Sequence, residues 1–227
     1  MSYPRLTKCM PDETRHNPFH RLHKALRFGH CRMLAELGAQ DFADDAEASQ
    51  LLERLVRQLA LHRAIAAARH AALAEALGAE GQSLGAGAAQ DHASHLAALA
   101  ELDSLVRAVS VAAAQRRRPA ARSIYRCYAL YAAADMTRMD EEETALLAQL
   151  HATLAEAGLK QIETRSISRL GRDELHALLQ LLLPAMSTPE AESLLAQLEA
   201  GMDPAHYAAS VEPVVRPLLA AGSSAAA

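Results

Sequence analysis

Apolar residues recur along this chain at intervals of three and four, the period of one face of an α-helix, and they do so over four long stretches. The first carries Leu22, Leu26 and Met33 and is opened by Asn17 before Pro18, a capping residue followed by one preset for a first helical turn. It is expected to run from about Pro18 to Leu37 and to stop at Gly38. The second carries Leu52, Leu55 and Leu59 and is expected from about Ala46 to Leu77, between the acidic linker AQDFADDAEA and the glycine-rich LGAEGQSLGAG. The third is expected from near Gln90 through Leu99, Leu102, Val106 and Val109 to the basic run Arg116, Arg117, Arg118. The fourth is expected from Pro119 through Ile124, Tyr128 and Tyr131 to about Ala152. Long amphipathic segments with short or glycine-rich joins predict an all-α fold, an antiparallel up-and-down four-helix bundle.

Beyond the fourth stretch the punctuation changes. Thr153 with Glu156 and Ser187 with Glu190 read as capping boxes, and Asp203 before Pro204 reads as a further helix start. Prolines every several residues limit this region to short helices. The expected organisation is an N-terminal segment over 1–16, a bundle over 17–157, a helical C-terminal appendage over 158–221 and a loose tail over 222–227, where GSSAAA has nothing to bury.

Composition narrows the function classes. The chain is 51% hydrophobic, 22% charged and only 4% aromatic, and its apolar content is mostly Ala and Leu, which favour helices and contribute little to sheets. A net charge of −4 argues against a protein that neutralises phosphates, so no nucleic-acid partner is expected. Arg116, Arg117 and Arg118, with Arg122 and Arg126, form the one basic cluster and read as an offset to the dipole at a helix end. Cys9, Cys31 and Cys127 are widely spaced and make no C-x-x-C pair, as in reduced thiols of a cytosolic protein. No signal-peptide core is present, and the apolar run around ALLQLLLPAM falls short of the roughly 20 residues that span a bilayer, so a cytoplasmic protein without a membrane partner is expected. The cysteines have no fixed histidine partner by spacing, and neither G-x-S-x-G nor a phosphate loop occurs, which makes a conventional enzyme a poor reading.

Each long stretch places ligand-capable side chains on its own apolar stripe. The first contributes His23; the second continues from Leu59 to His62, Ala66 and His70; the third extends back from Leu99 to His95 and His92; the fourth continues to Asp135, Arg138 and Glu142. In an antiparallel bundle these positions fall at one end, and imidazoles with carboxylates in a bundle core are how such folds build metal sites. On the helical wheel His30 borders the first stripe, His20 and Arg27 face outward, and His16 precedes the helix. Asp135 reads as a partner of Arg138, and of Asp140, Glu141, Glu142 and Glu143 only Glu142 is placed to look inward. His70 reads as packing or as a residue behind the ligands.

The order and spacing of LHKALR, DHASHLAAL, AADMTRMDEEET and LLLPAMSTPEAESLL resemble the hemerythrin-like (HHE cation-binding) family, specifically bacterial members with an added helical C-terminal part. The resemblance implies a bundle that holds two irons with five histidines and two carboxylates. Its histidine positions fall on His23, His62 and His92 or His95, with Asp91 and His95 at the four-residue spacing, and a carboxylate position falls on Glu142. The chain departs from the pattern at Ala66, where a carboxylate belongs, and at Arg138, where a histidine belongs. A guanidinium offers no lone pair and stays charged, so Arg138 is expected to pair with Glu142 one turn away. What the resemblance implies is therefore a reduced site of His23, His62, His92, His95 and Glu142 holding one divalent ion, iron foremost, for sensing or handling oxygen, iron or a related small species. The other implied outcome is a member without metal, acting as a structural or protein-interaction module.

Overall fold

The computed structural model describes residues 15–40, 42, 45–78, 82–112, 114–215 and 217. Cys9, most of the N-terminal segment and the tail over 222–227 lie outside the described residues, as do the side chains of Asp91, Arg117 and Arg118. The described residues form helices α1 (His20–Ala39), α2 (Asp45–Leu77), α3 (Gln82–Ser110), α4 (Ala114–Glu141), α5 (Leu147–Thr153), α6 (Glu156–Ser168), α7 (Arg172–Leu182), α8 (Thr188–Gly201) and α9 (Pro204–Ser210), with no strand among them. No helix among the described residues is long and apolar enough to cross a membrane.

Local chemistry explains several boundaries. The Asn17 side chain accepts the Phe19 N–H at 2.9 Å, and α1 begins just beyond, its first turn closed by His23 N–H onto the Phe19 carbonyl. Ser187 and Glu190 form the expected capping box at α8, and Asp203 accepts the His206 N–H at 3.0 Å at α9. Thr153 does not cap α6. Its hydroxyl bonds back to the Gln149 carbonyl, and Ala155 precedes the helix without a side-chain cap.

Two helix starts lie earlier than expected. Helix α3 begins at Gln82 instead of near Gln90, so its first turns include glycines of the presumed joint; the alanines between them carry the helix through. Helix α4 begins at Ala114 and contains Pro119, because a proline near a helix start removes one hydrogen bond without ending the chain of others. The run Arg116–Arg118 therefore occupies the first turns of α4, where it does not offset a C-terminal dipole; Arg107 is the basic residue in the last turn of α3.

Helix α1 packs on α2 and α4, α2 on α3, and α3 on α4. Leu51, Leu55, Leu59, Leu99, Val106, Ile124 and Tyr128 share one apolar cluster among these helices. Of the later helices, α6 lies along α2, and α7 against α1 and α2. Their Leu175, Leu178, Leu182, Leu194 and Leu198 share a second cluster with Leu22, Leu26, Leu61 and Ile65. Gly29 permits the close approach of α7, since a Cβ there would lie 3.2 Å from a Leu181 methyl. A polar seam ties α1 to α6 and α8, with Arg21 donating to Glu163 at 3.2 Å and Lys24 pairing with Glu190 at 2.8 Å.

Leu55 is wholly buried between elements distant in sequence. Leu55→Ala is expected to lower the unfolding free energy by about 2–5 kcal/mol, read from the urea midpoint; a loss below about 1 kcal/mol would remove it from the core.

Candidate metal centre

The polar core is built in two levels. At the first, Asp135 of α4 receives side chains from the other long helices. His30 of α1 donates from Nε2 to Asp135 Oδ2 at 2.9 Å, and His95 of α3 brings Nδ1 to 3.2 Å from Oδ1. Nδ1 of His62, on α2, lies 3.9 Å from Oδ2. Arg138, one turn along α4, donates to Oδ1 through Nε at 3.0 Å and through Nη2. His30, His62 and Asp135 are at most 3% exposed.

Two tyrosines hold the imidazoles from behind. Gln58 donates to the Tyr128 oxygen at 2.7 Å, and the Tyr128 hydroxyl lies 3.0 Å from His30 Nδ1. Tyr131 Oη lies 3.1 Å from His62 Nδ1, leaving His62 Nε2 buried without a partner. Burial, reinforced by the Asp135 charge, raises both phenols above their ordinary range, so the hydroxyls keep their protons.

The second level lies seven residues away on each contributing helix, two turns or about 10.5 Å. Here Glu142 accepts from Arg138 at 2.6 Å on Oε1 and from Arg69 at 2.7 Å on Oε2, and His23 Nε2 lies 3.0 Å from the same Oε2. The other ring nitrogen of His23 meets Glu143 Oε1 at 2.7 Å, and Arg27 donates to that oxygen at 2.9 Å. Two adjacent glutamates reach one imidazole because Glu142–Leu146 is a π-helical turn. Its i→i+5 bonding widens the helix and reduces the rotation per residue.

The charges are matched within this core. Burial alone would raise the Asp135 pKa, but the His30 hydrogen bond and the Arg138 guanidinium overturn that and hold it well below the usual carboxylate range. Glu142 is likewise pushed up by burial and pulled down further by Arg69, the His23 hydrogen bond and Arg138, to about 2. Burial and then the neighbouring His30 lower the His62 pKa to about 3; burial lowers His95 to about 4 against the pull of Asp135. Both rings are therefore neutral at pH 7, the form that carries a free lone pair.

The anticipated site residues thus separate into three places. His62 and His95 join the Asp135 level, His23 and Glu142 meet at the Arg69 level, and His92 stacks on His70 outside both. His95, not His92, faces the buried group. Glu143, expected on a solvated face, is drawn inward by the π turn, which no periodicity of 3.6 anticipates. Arg138 pairs with Glu142 as expected. Arg69, Gln58 and the inward role of His30 were not anticipated, yet His23–His30, His62–Arg69 and Asp135–Glu142 all repeat at seven, the spacing that returns a helix to one face.

His30, His62 and Asp135 form a fully buried group able to hold a metal ion, each offering a ligand atom within 4.8 Å of the others. The donor set fits one divalent first-row ion: two imidazoles and a carboxylate, with a tyrosine hydroxyl beside one ring nitrogen of each imidazole. Asp135 divides its oxygens, with Arg138 on Oδ1 and the metal-facing histidine on Oδ2, so the guanidinium does not block the group. Glu142 is different. Both its oxygens are taken by arginines, which leaves none for an ion.

No family model, curated protein or solved structure matches this chain.

The neutral burial of His62 has a consequence for acid stability. Its folded pKa lies below the unfolded value of 6.5, so the unfolded chain binds the proton first and stability falls as pH drops from about 6.5 toward 3. Urea midpoints of metal-free protein are expected to fall between pH 7 and 4.5, and His62→Gln to flatten that slope; equal slopes would mean that His62 is not held neutral.

Proposed function

We propose that the chain is a hemerythrin-like four-helix bundle, up-and-down in topology, whose core binds a single divalent metal ion, iron foremost, through His30, His62 and Asp135, with His95 beside them. The observation that carries this reading is the buried group of His30, His62 and Asp135, whose ligand atoms lie within 4.8 Å of one another, together with a buried, unpartnered Nε2 on His62. An uncompensated buried nitrogen costs free energy, and a metal bond is one way to offset it. The two-level core supports the topology: residue numbers descend on α1 (30 to 23) while they ascend on α2 (62 to 69) and α4 (135 to 142) between the same two levels. Compared with the ligand set implied by the family resemblance, the proposed site moves one level, from His23 and Glu142 to His30 and Asp135. When bound, the ion would supply a Lewis-acidic or redox centre for a small ligand such as dioxygen, while the tyrosine-backed histidines hold it in place.

A second reading rests on charge matching. Asp135 pairs with Arg138, Glu142 with Arg69 and Arg138, and Glu143 with Arg27, so the core compensates its carboxylates without a metal. On that reading Arg138 takes the place of the cation and the bundle is a structural or interaction module.

Loading of metal-free protein with Fe2+, Mn2+ or Zn2+ under reducing conditions separates the two. The metal reading expects about one ion per chain, falling below about a tenth in His62→Ala or Asp135→Asn with far-UV circular dichroism intact. Less than about a tenth of an equivalent in the wild type, with an unchanged thermal midpoint, would leave the charge-matched module.

A further inference from the structure

The basic residues of α4 belong to neither level of the polar core. Arg116, Arg122 and Arg126 are exposed, and among the described residues none of them makes an ion pair or a side-chain hydrogen bond. Arg54, Arg57 and Arg107, by contrast, meet Glu36 at 3.1 Å, Glu53 at 3.8 Å and Asp103 at 2.9 Å. Helix α4 begins at Ala114, so its own dipole does not offset the three unmatched charges.

Two of these arginines, Arg122 and Arg126, line an open groove of about 630 Å³ between the end of α1 and α4. That volume lies within the roughly 300–1,000 Å³ of small-molecule sites. Buried Leu37, Phe42 and Ala121 give the groove an apolar lining, and Tyr125 stands beside the arginines with 41% of its surface exposed. The Tyr125 ring rests against Gly38, 3.4 Å from where a Cβ would stand, so α1 backs the ring from one side. Arg122 and Arg126 are one turn apart, the spacing that makes two side chains neighbours on one helix face. Tyr125 precedes Asp135 by ten residues, about 15 Å along the helix, which separates the groove from the buried histidines.

We propose that this groove binds an organic phosphate carrying a flat ring, of the nucleoside diphosphate class, with Arg122 and Arg126 on the phosphates and Tyr125 with the apolar lining on the ring. Guanidinium forks match phosphate oxygens in both geometry and charge. An aromatic side chain takes a base by stacking whatever its hydrogen-bonding edge, so the groove asks for a base without specifying which. Inorganic phosphate alone would leave the tyrosine and the apolar lining unused. A net charge of −4 opposes the long run of phosphates of a nucleic acid, whereas a mononucleotide meets only the local positive field of the arginines. This site is independent of the buried histidine group.

Isothermal calorimetry of the full chain with ADP, and separately with inorganic pyrophosphate, tests it in phosphate-free buffer without divalent ions. ADP is expected to bind in the micromolar range, and Arg122→Ala and Arg126→Ala each to weaken both probes about tenfold. Tyr125→Ala is expected to weaken ADP about fivefold or more and to leave pyrophosphate within about twofold, a difference that loss of the fold would not produce. Absence of ADP binding below about 1 mM, or arginine variants within about twofold of wild type, would overturn the proposal. Tighter binding of a single-stranded oligonucleotide than of ADP would overturn it in favour of nucleic acid. The adjoining linker carries Asp41 and Asp44, which lie outside the described residues. ADP binding that emerges only after Asp41→Asn with Asp44→Asn would make the chain's own linker the occupant and sink the nucleotide reading. Arg122, Tyr125 and Arg126 are all exposed, and circular dichroism reports whether their variants keep the helices.

Discussion

The polar core depends on one buried carboxylate. Asp135 is charged where a charge is expensive, and its cost is offset only if His30, His95 and Arg138 reach it together from α1, α3 and α4. His62 of α2 stands beside the same oxygens. That requirement fixes the register of the long helices more strictly than apolar contact does, because hydrocarbon tolerates sliding and a hydrogen bond of 2.9 Å does not. Arg138 then transmits the arrangement along α4, bridging Asp135 three residues before it and Glu142 four residues after it.

The π turn at Glu142–Leu146 sits where this bridge ends. It rotates two consecutive glutamates toward α1, so that Glu142 and Glu143 enclose the His23 ring between them. The outer face of α1 meanwhile binds the later helices through Arg21 and Lys24. Helix α1 is thus anchored on both faces, inward by histidines and outward by cations, and the C-terminal helices are part of what holds its histidines in place. Leu181 against Gly29 closes the same contact.

Much of this was legible in the chain. The stripes of Leu52, Leu55 and Leu59, and of Leu99 and Leu102, are buried on α2 and α3, since apolar period and helix period coincide. The caps at Ser187 and Asp203 were legible because they act within four residues. The starts of α3 and α4 were not, since glycine and proline lower helix stability without forbidding a helix, and neighbouring contacts decided the outcome. Asp135 was recognised as a partner of Arg138, which lies on its own helix.

What the amino-acid order determined by itself was local: an all-helical chain, the faces that are buried, and the presence of histidines and acids on those faces. Tertiary structure decided which of them meet. His95 and His92 differ by less than a turn in sequence, yet one faces Asp135 and the other stacks on His70. Glu142 lost its freedom to Arg69, a residue 73 positions away, and Asp135 gained His30 across 105. Helical period assigns a side chain to a face; only the register between helices, set by charges that must pair once buried, assigns it a partner.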